Sequence, residues 1–176
     1  DWLTLSQQSI APVKAGRFYV HTATNKGEVP AGARTFLIEA GQAFGTGGHE
    51  TTSGCLSMID RLQRSGRRFH HIADIGTGTG LLAFAALHLW PRALVTASDI
   101  DPVSIDVTRD NAEANMIALG RARGEVALFV STGTDHPAIL ARAPYDLLIA
   151  NILAGPLVEL ASSFAAVVAD GGTLIL

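Results

Sequence analysis

In residues 72–83, IADIGTGTGLLA, an apolar strand runs into Asp74 and then a turn carrying Gly76, Gly78 and Gly80, with Thr77 between the first two glycines. A glycine at every second position lets the backbone turn sharply and leaves no side chain between its amides and a ligand, so a flat or charged group can lie against it. Spacing then chooses the ligand. The dinucleotide pattern G-x-G-x-x-G needs its third glycine at position 81, which is Leu81; the chain reads D-x-G-x-G-x-G, which disfavours a nicotinamide dehydrogenase. Asp99 closes the next apolar run, ALVTAS, nineteen residues past Gly80. A carboxylate there can take both hydroxyls of a ribose, and Ile100 beside it offers an apolar surface to one face of an adenine. Asn151 closes a later run, YDLLIA. A lone asparagine in such a place is often only a turn former. Its position after the fourth strand of a series points to a site, because open α/β sheets bind ligands at the carboxyl ends of their strands, where Asp74, Asp99 and Asn151 then converge.

Residues 41–52, GQAFGTGGHETT, form a second informative stretch. Gly41, Gly45, Gly47 and Gly48 make a mobile loop with Phe44 as its apolar anchor, and Thr51 and Thr52 stand where an N-cap belongs. Cys55, Ile59 and Leu62 then share one helical face. Read structurally, this is a capped helix after a flexible loop. Read functionally, the loop, including Phe44, Gly45 and Thr46, folds over a ligand held at the glycine turn, with Thr52 touching it. His49 is a rival base, but no further ligand stands at metal spacing, so it reads first as a loop histidine.

Strands and helices alternate around these residues. From Trp2 to Ile38 the pattern is short and strand-like, with Val13, Phe18 and Val20 facing a core and turns at Gly27, Pro30 and Gly32. After the turn comes the helical run LLAFAALHL, then the strand ALVTAS. A helix capped by Asp101 with Pro102 in its first turn reaches about Asn115. The strand EVALFV leads to the segment STGTDHPAILARAP. After YDLLIA, a helix is expected from Pro156 through Ala169, with Leu157, Leu160, Ala161, Phe164 and Val168 buried and Gly171 and Gly172 ending it before the strand TLIL. Right-handed crossovers give a mostly parallel, doubly wound α/β sheet of order 3-2-1-4-5. The division expected is a β layer over residues 1–40 and a ligand-binding part over 41–176, within a single domain.

The 176 residues are 48% hydrophobic and 16% charged, too apolar for disorder. A net charge of −3 gives no global attraction to nucleic acid, and Arg61, Arg64, Arg67 and Arg68, the one basic cluster, read as a solvated helix end. The single cysteine, Cys55, excludes an internal disulfide and fits a reducing compartment. No apolar run has the length of a membrane span, so a cytoplasmic protein is expected. The chain opens on Asp1 and closes in TLIL, so we expect a longer protein whose sheet is cut after strand five.

The turn resembles motif I of the Rossmann-like methyltransferases, which bind S-adenosylmethionine. Taken together, GQAFGTGGHETT, ADIGTGTG, SDIDP, RDNAEAN and ANILAGPL are very similar in order and spacing to the catalytic domain of the PrmA family. These are bacterial methyltransferases of large-subunit ribosomal protein eleven. The resemblance covers most of the chain from about Ala11 onwards. It implies a class I fold, S-adenosylmethionine as cofactor, and Thr52, Gly76, Asp99 and Asn151 as its contacts. The expected cofactor set also takes in the loop residues Phe44, Gly45 and Thr46, the turn residues Asp74, Thr77, Gly78 and Gly80, and Ile100. The segment after EVALFV departs from the family pattern, which usually places an acidic or amide side chain there; Ser131, Thr132 and Asp135 are the open alternatives for that role. A sulfonium methyl is already activated, so no metal is required, and Asn151 is expected to orient a protein amine, on a lysine or the N-terminus, for attack. A methyltransferase acting on another protein or a small amine, and a fragment that binds cofactor without turnover, are the alternatives.

Overall fold

The computed structural model describes residues 10–39 and 48–176. Strand β1 (Val13–Ala15) turns back on β2 (Phe18–His21) as an antiparallel hairpin, and β3 (Arg34–Leu37) joins β2 in parallel. Phe18, Val20, Phe36 and Ile38 are buried, and Val13 packs against the same core. Arg17 and Arg64 both bind the buried Asp60 carboxylate, at 2.5 and 2.9 Å, and so tie this layer to helix α1 (Gly48–Arg64).

The main sheet has five parallel strands: β4 (His71–Ile75), β5 (Leu94–Asp99), β6 (Val126–Val130), β7 (Tyr145–Ile149) and β8 (Val168–Ile175). Their order is β6-β5-β4-β7-β8, the order expected from the alternation of strand and helix. Helices α2 (Leu81–Leu89), α3 (Pro102–Ala114), α4 (Pro137–Leu140) and α5 (Ala154–Val167) make the crossovers. Strand order reverses on either side of β4, which opens a crevice at the carboxyl ends of β4, β5 and β7.

Both faces of the sheet are covered, which is why its central strands are buried without alternation, β5 even at Thr96 and Ser98. On one face, α2 is buried on every side except at His88, whose ring meets Phe18 of the β layer edge-on at 6.1 Å. A helix enclosed in this way needs no polar stripe. On the other face, Ile139 of α4 and Phe164 and Val167 of α5 cover Ala73, Ile75, Ala127 and Leu148.

Three boundaries differ from the sequence expectation. Helix α1 begins at Gly48, so Thr51 and Thr52 lie inside it instead of capping it; the Thr52 hydroxyl is engaged elsewhere. Helix α5 spans Ala154–Val167, because Val168 is already extended and opens β8 opposite Tyr145. Gly171 and Gly172 therefore fall inside β8, where its register on β7 shifts. Along α5, Phe164 is buried as expected, Leu157, Leu160 and Val168 are half-buried, Ala161 is exposed, and Val167 is buried in its place. Finally, the segment after β6 contains the short helix α4, with Pro137 in its first turn and the His136 ring nitrogen accepting from the Ala138 amide at 3.1 Å.

Candidate active site

The glycine turn is built from the end of β4 against the end of β5. The amides of Gly76 and Thr77 both donate to the Ser98 carbonyl, each at 2.8 Å. The Gly78 amide donates to Asp99 Oδ2 at 2.9 Å, and Asp99 Oδ1 accepts from the Asp101 amide at 3.0 Å. Each Asp99 oxygen retains a further lone pair for a ligand hydroxyl. Gly78 and Gly80 are both left-handed, at φ 58° and 86°, but for different reasons. A Cβ on Gly78 would meet nothing within 4 Å, so its missing side chain leaves open space above the turn. A Cβ on Gly80 would stand 2.6 Å from Phe84 and 2.7 Å from Thr108, so there the chain passes too close to its neighbours for any side chain.

Asp74 is buried beneath the turn and accepts the Thr77 hydroxyl at 2.7 Å. Burial pushes its carboxyl up to about 6; the Thr77 hydroxyl and the Ala83 amide pull it back in part, and the Asp99 charge adds to the rise. In the unfolded chain an aspartate titrates near 3.9. Between about pH 4 and 6 the folded chain therefore holds a proton that the unfolded chain has lost, and stability falls as pH rises through that window, by up to about 3 kcal/mol. Asp74→Asn keeps an oxygen for the Thr77 hydroxyl and should remove this slope from urea melts taken across pH 4 to 7. An unchanged slope in the variant would show that another group causes it.

Asn151 follows β7, and its Nδ2 donates to Thr52 Oγ1 on α1 at 3.1 Å. The next residue, Ile152, packs over the turn: its Cγ2 lies 2.3 Å from where a Cβ on Gly76 would be. Asn151, Thr52 and the glycine turn are thus brought together from three distant parts of the chain. Asn151 and Ile152 also border a groove of about 580 Å³ between α1 and β8, together with Cys55, Met58 and Leu174.

Ile100 is 67% exposed beside Asp99. Beyond β6, Ser131 is buried with its hydroxyl on the Gly133 carbonyl, while Thr132 and Asp135 are exposed. Phe44, Gly45 and Thr46 lie outside the described residues, as does the side chain of His49. Sequence reasoning missed Thr108 and Asn111 on α3, which hold the carbonyls of Gly78 and Thr79 at 2.9 and 3.0 Å. The available signal was a polar residue at each of two core-facing positions three apart on one helix.

A parallel sheet of this order, with a glycine turn and a carboxylate ending the second strand, is the architecture of the Rossmann-like class I methyltransferases. Among solved structures, a ribosomal protein L11 methylase from Lactobacillus delbrueckii subsp. bulgaricus superimposes with a TM-score of 0.75 at 24% identity, over 94% of this chain and 78% of that one. A precorrin-6y C5,15-methyltransferase from Geobacter metallireducens GS-15 gives 0.59 at 20% identity, over 78% and 65%. All of residues 1–176 match the family described as ribosomal protein L11 methyltransferase (PrmA), and the chain belongs to that family. Relatives named ribosomal protein L11 methyltransferase from Caulobacter sp. (strain K31) and Rhizobium etli are 42% and 45% identical over 100% of this chain. The chain spans 58% of the length of each. Among the described residues, no helix is long and apolar enough to cross a membrane.

Proposed function

We propose that this chain carries the catalytic part of an S-adenosylmethionine-dependent protein N-methyltransferase, acting on lysine or N-terminal amines of ribosomal protein L11. The observation that carries this reading is the Asn151 to Thr52 hydrogen bond, at the mouth of the same crevice as the glycine turn. The relatives' names supply the substrate. A ribosomal-protein substrate and a single cysteine favour the cytoplasm. We read residues 1–40 as a β layer and 41–176 as the cofactor-binding part of one domain, a reading supported by Phe18 and Phe36 sharing a core with Leu56 and Leu81.

The residues present fit the cofactor. Open space above Gly78 admits a ligand against the turn, Asp99 can take two ribose hydroxyls, and the exposed Ile100 suits an adenine face. Phe44, Gly45, Thr46 and Thr52 belong to the proposed set with Gly76 and Asn151, as do Asp74, Thr77 and Gly80, which also shape the turn. When bound, the cofactor supplies a methyl group already activated by its sulfonium. With its Nδ2 committed to Thr52, Asn151 presents Oδ1 as an acceptor that can hold an amine N–H and aim the nitrogen lone pair. A neutral amide does this without stabilising the unreactive ammonium, as a carboxylate would.

Calorimetric titration of the full-length protein with S-adenosylhomocysteine tests the cofactor assignment. Asp99→Ala should weaken binding by about 1.5 to 3 kcal/mol, the range for a hydrogen bond to a charged group. Unchanged affinity would remove Asp99 from the site.

A further inference from the structure

We propose that Asn111 of α3 and Asn115 at its C-cap are positioning residues: Asn111 sets a peptide orientation of the glycine turn and ties it to the chain after β3, and Asn115 holds the end of β3 in place beside it. The cofactor arm of this inference rests on the methyltransferase reading above; the structural arm does not. Thr108 and Asn111 on α3 and Asn115 at its C-cap follow one another at spacings of three and four, at 0%, 2% and 9% exposure. Buried polar groups cost stability unless they are paired, and each of these is. The Thr108 hydroxyl donates to the Gly78 carbonyl at 2.9 Å. Asn111 Nδ2 donates to the Thr79 carbonyl at 3.0 Å, while its Oδ1 accepts from the Glu39 amide at 3.1 Å. Asn115 Oδ1 accepts from the Leu37 amide at 2.9 Å, and its Nδ2 donates to the carbonyls of Leu37 and Asn111, both at 2.7 Å.

Apolar side chains would pack α3 against the sheet equally well. What the amides add is direction. Strand β3 has β2 on one side, and the Asn115 amide stands in for a strand at Leu37 on the other. At the turn, the position a Gly78 side chain would take is open, so no side chain of its own anchors the turn there. Peptides are planar and trans, so a Gly78 carbonyl held toward α3 points the Thr79 N–H the opposite way. The Thr79 carbonyl, held by Asn111, fixes in the same manner the Gly80 N–H, which donates to the Thr77 carbonyl at 3.0 Å. Of these three side chains, Asn111 bonds both the turn and the β3 extension, so it couples the two walls.

Three variants of the full-length protein separate positioning from packing. Asn111→Leu removes both bonds and should weaken S-adenosylhomocysteine binding about tenfold. It should also speed amide exchange at Glu39, read by NMR, while leaving the single-turnover rate at saturating cofactor within about twofold. Asn111→Asp keeps an acceptor for the Glu39 amide and loses the donor to Thr79, so it should restore protection at Glu39 without restoring affinity. Asn115→Leu does not touch the turn; it should speed exchange at Leu37 and change affinity less than about threefold. Unchanged affinity in Asn111→Leu would overturn the proposal. So would equal losses in the two leucine variants that merely track their melting temperatures. If the parent protein binds no S-adenosylhomocysteine, the methyltransferase reading fails on its own, and the exchange data decide the rest: protection at Leu37 and Glu39 unmoved by either leucine variant would overturn the clasp.

Discussion

Replacing Asn151 by alanine should slow single-turnover methyl transfer about 100-fold, the scale of a misplaced reacting group, while cofactor affinity changes less than about threefold. The asymmetry follows from where the amide points. Truncation removes the Nδ2 bond to Thr52 that orients the amide and, with it, the Oδ1 acceptor proposed to aim the reacting nitrogen. Thr52→Val should reproduce part of the effect by leaving Nδ2 without its partner and the amide free to turn. Asn151→Asp should also be slow, since a carboxylate favours the ammonium. Lysine amines titrate near 10.4 and α-amines near 7.7 to 8.0, so with an orienting amide the rate should rise with pH and level off near the substrate's own pKa. A limb near about pH 6.5 that disappears in His49→Ala, with Asn151→Ala nearly as fast as the parent, would transfer the role to a histidine base.

Two neighbouring glycines should fail in opposite ways when changed to alanine. At Gly80 the backbone is left-handed, which costs a side chain roughly 1 to 2 kcal/mol, and the new methyl would press on the Phe84 ring and the Thr108 methyl. Overpacking of this kind adds about 1 to 3 kcal/mol. For a chain of this size the sum lowers the melting temperature by roughly 5 to 15 °C. At Gly78 only the backbone penalty applies, because the methyl enters open space. That space is where the cofactor is proposed to lie, so Gly78→Ala should lose at least about tenfold in cofactor affinity with a much smaller fall in melting temperature. Calorimetry and thermal melts on both variants check this, and the reverse pattern would mean that the two glycines have been assigned the wrong roles.

What could be read from the sequence was whatever depends on strand ends and spacing. The series of apolar runs gave the order β6-β5-β4-β7-β8, and the position of Asp99 at the end of the second strand put it beside the turn, where its carboxylate takes the Gly78 amide. The cap at Asp101 was legible because it is local: its side chain accepts from the Val103 amide two residues on. Boundaries set by distant partners were not. Val168 belongs to β8 because Tyr145 lies opposite it, and the Thr52 hydroxyl is engaged by an asparagine 99 residues away. That Asp74 lies buried under the turn was not legible either, since a one-dimensional pattern does not say which way a strand-end side chain points. Thr108 and Asn111 escaped notice for a similar reason: polar residues on a helix look solvated until the carbonyls they serve are seen.

The most direct test is peptide mapping of ribosomal protein L11 after one turnover with the full-length protein and methyl-labelled S-adenosylmethionine. The proposed site predicts label on amino groups alone, lost in Asn151→Ala under conditions where that variant still binds cofactor. Label on carboxylates, or no transfer by a parent protein saturated with cofactor, would contradict it.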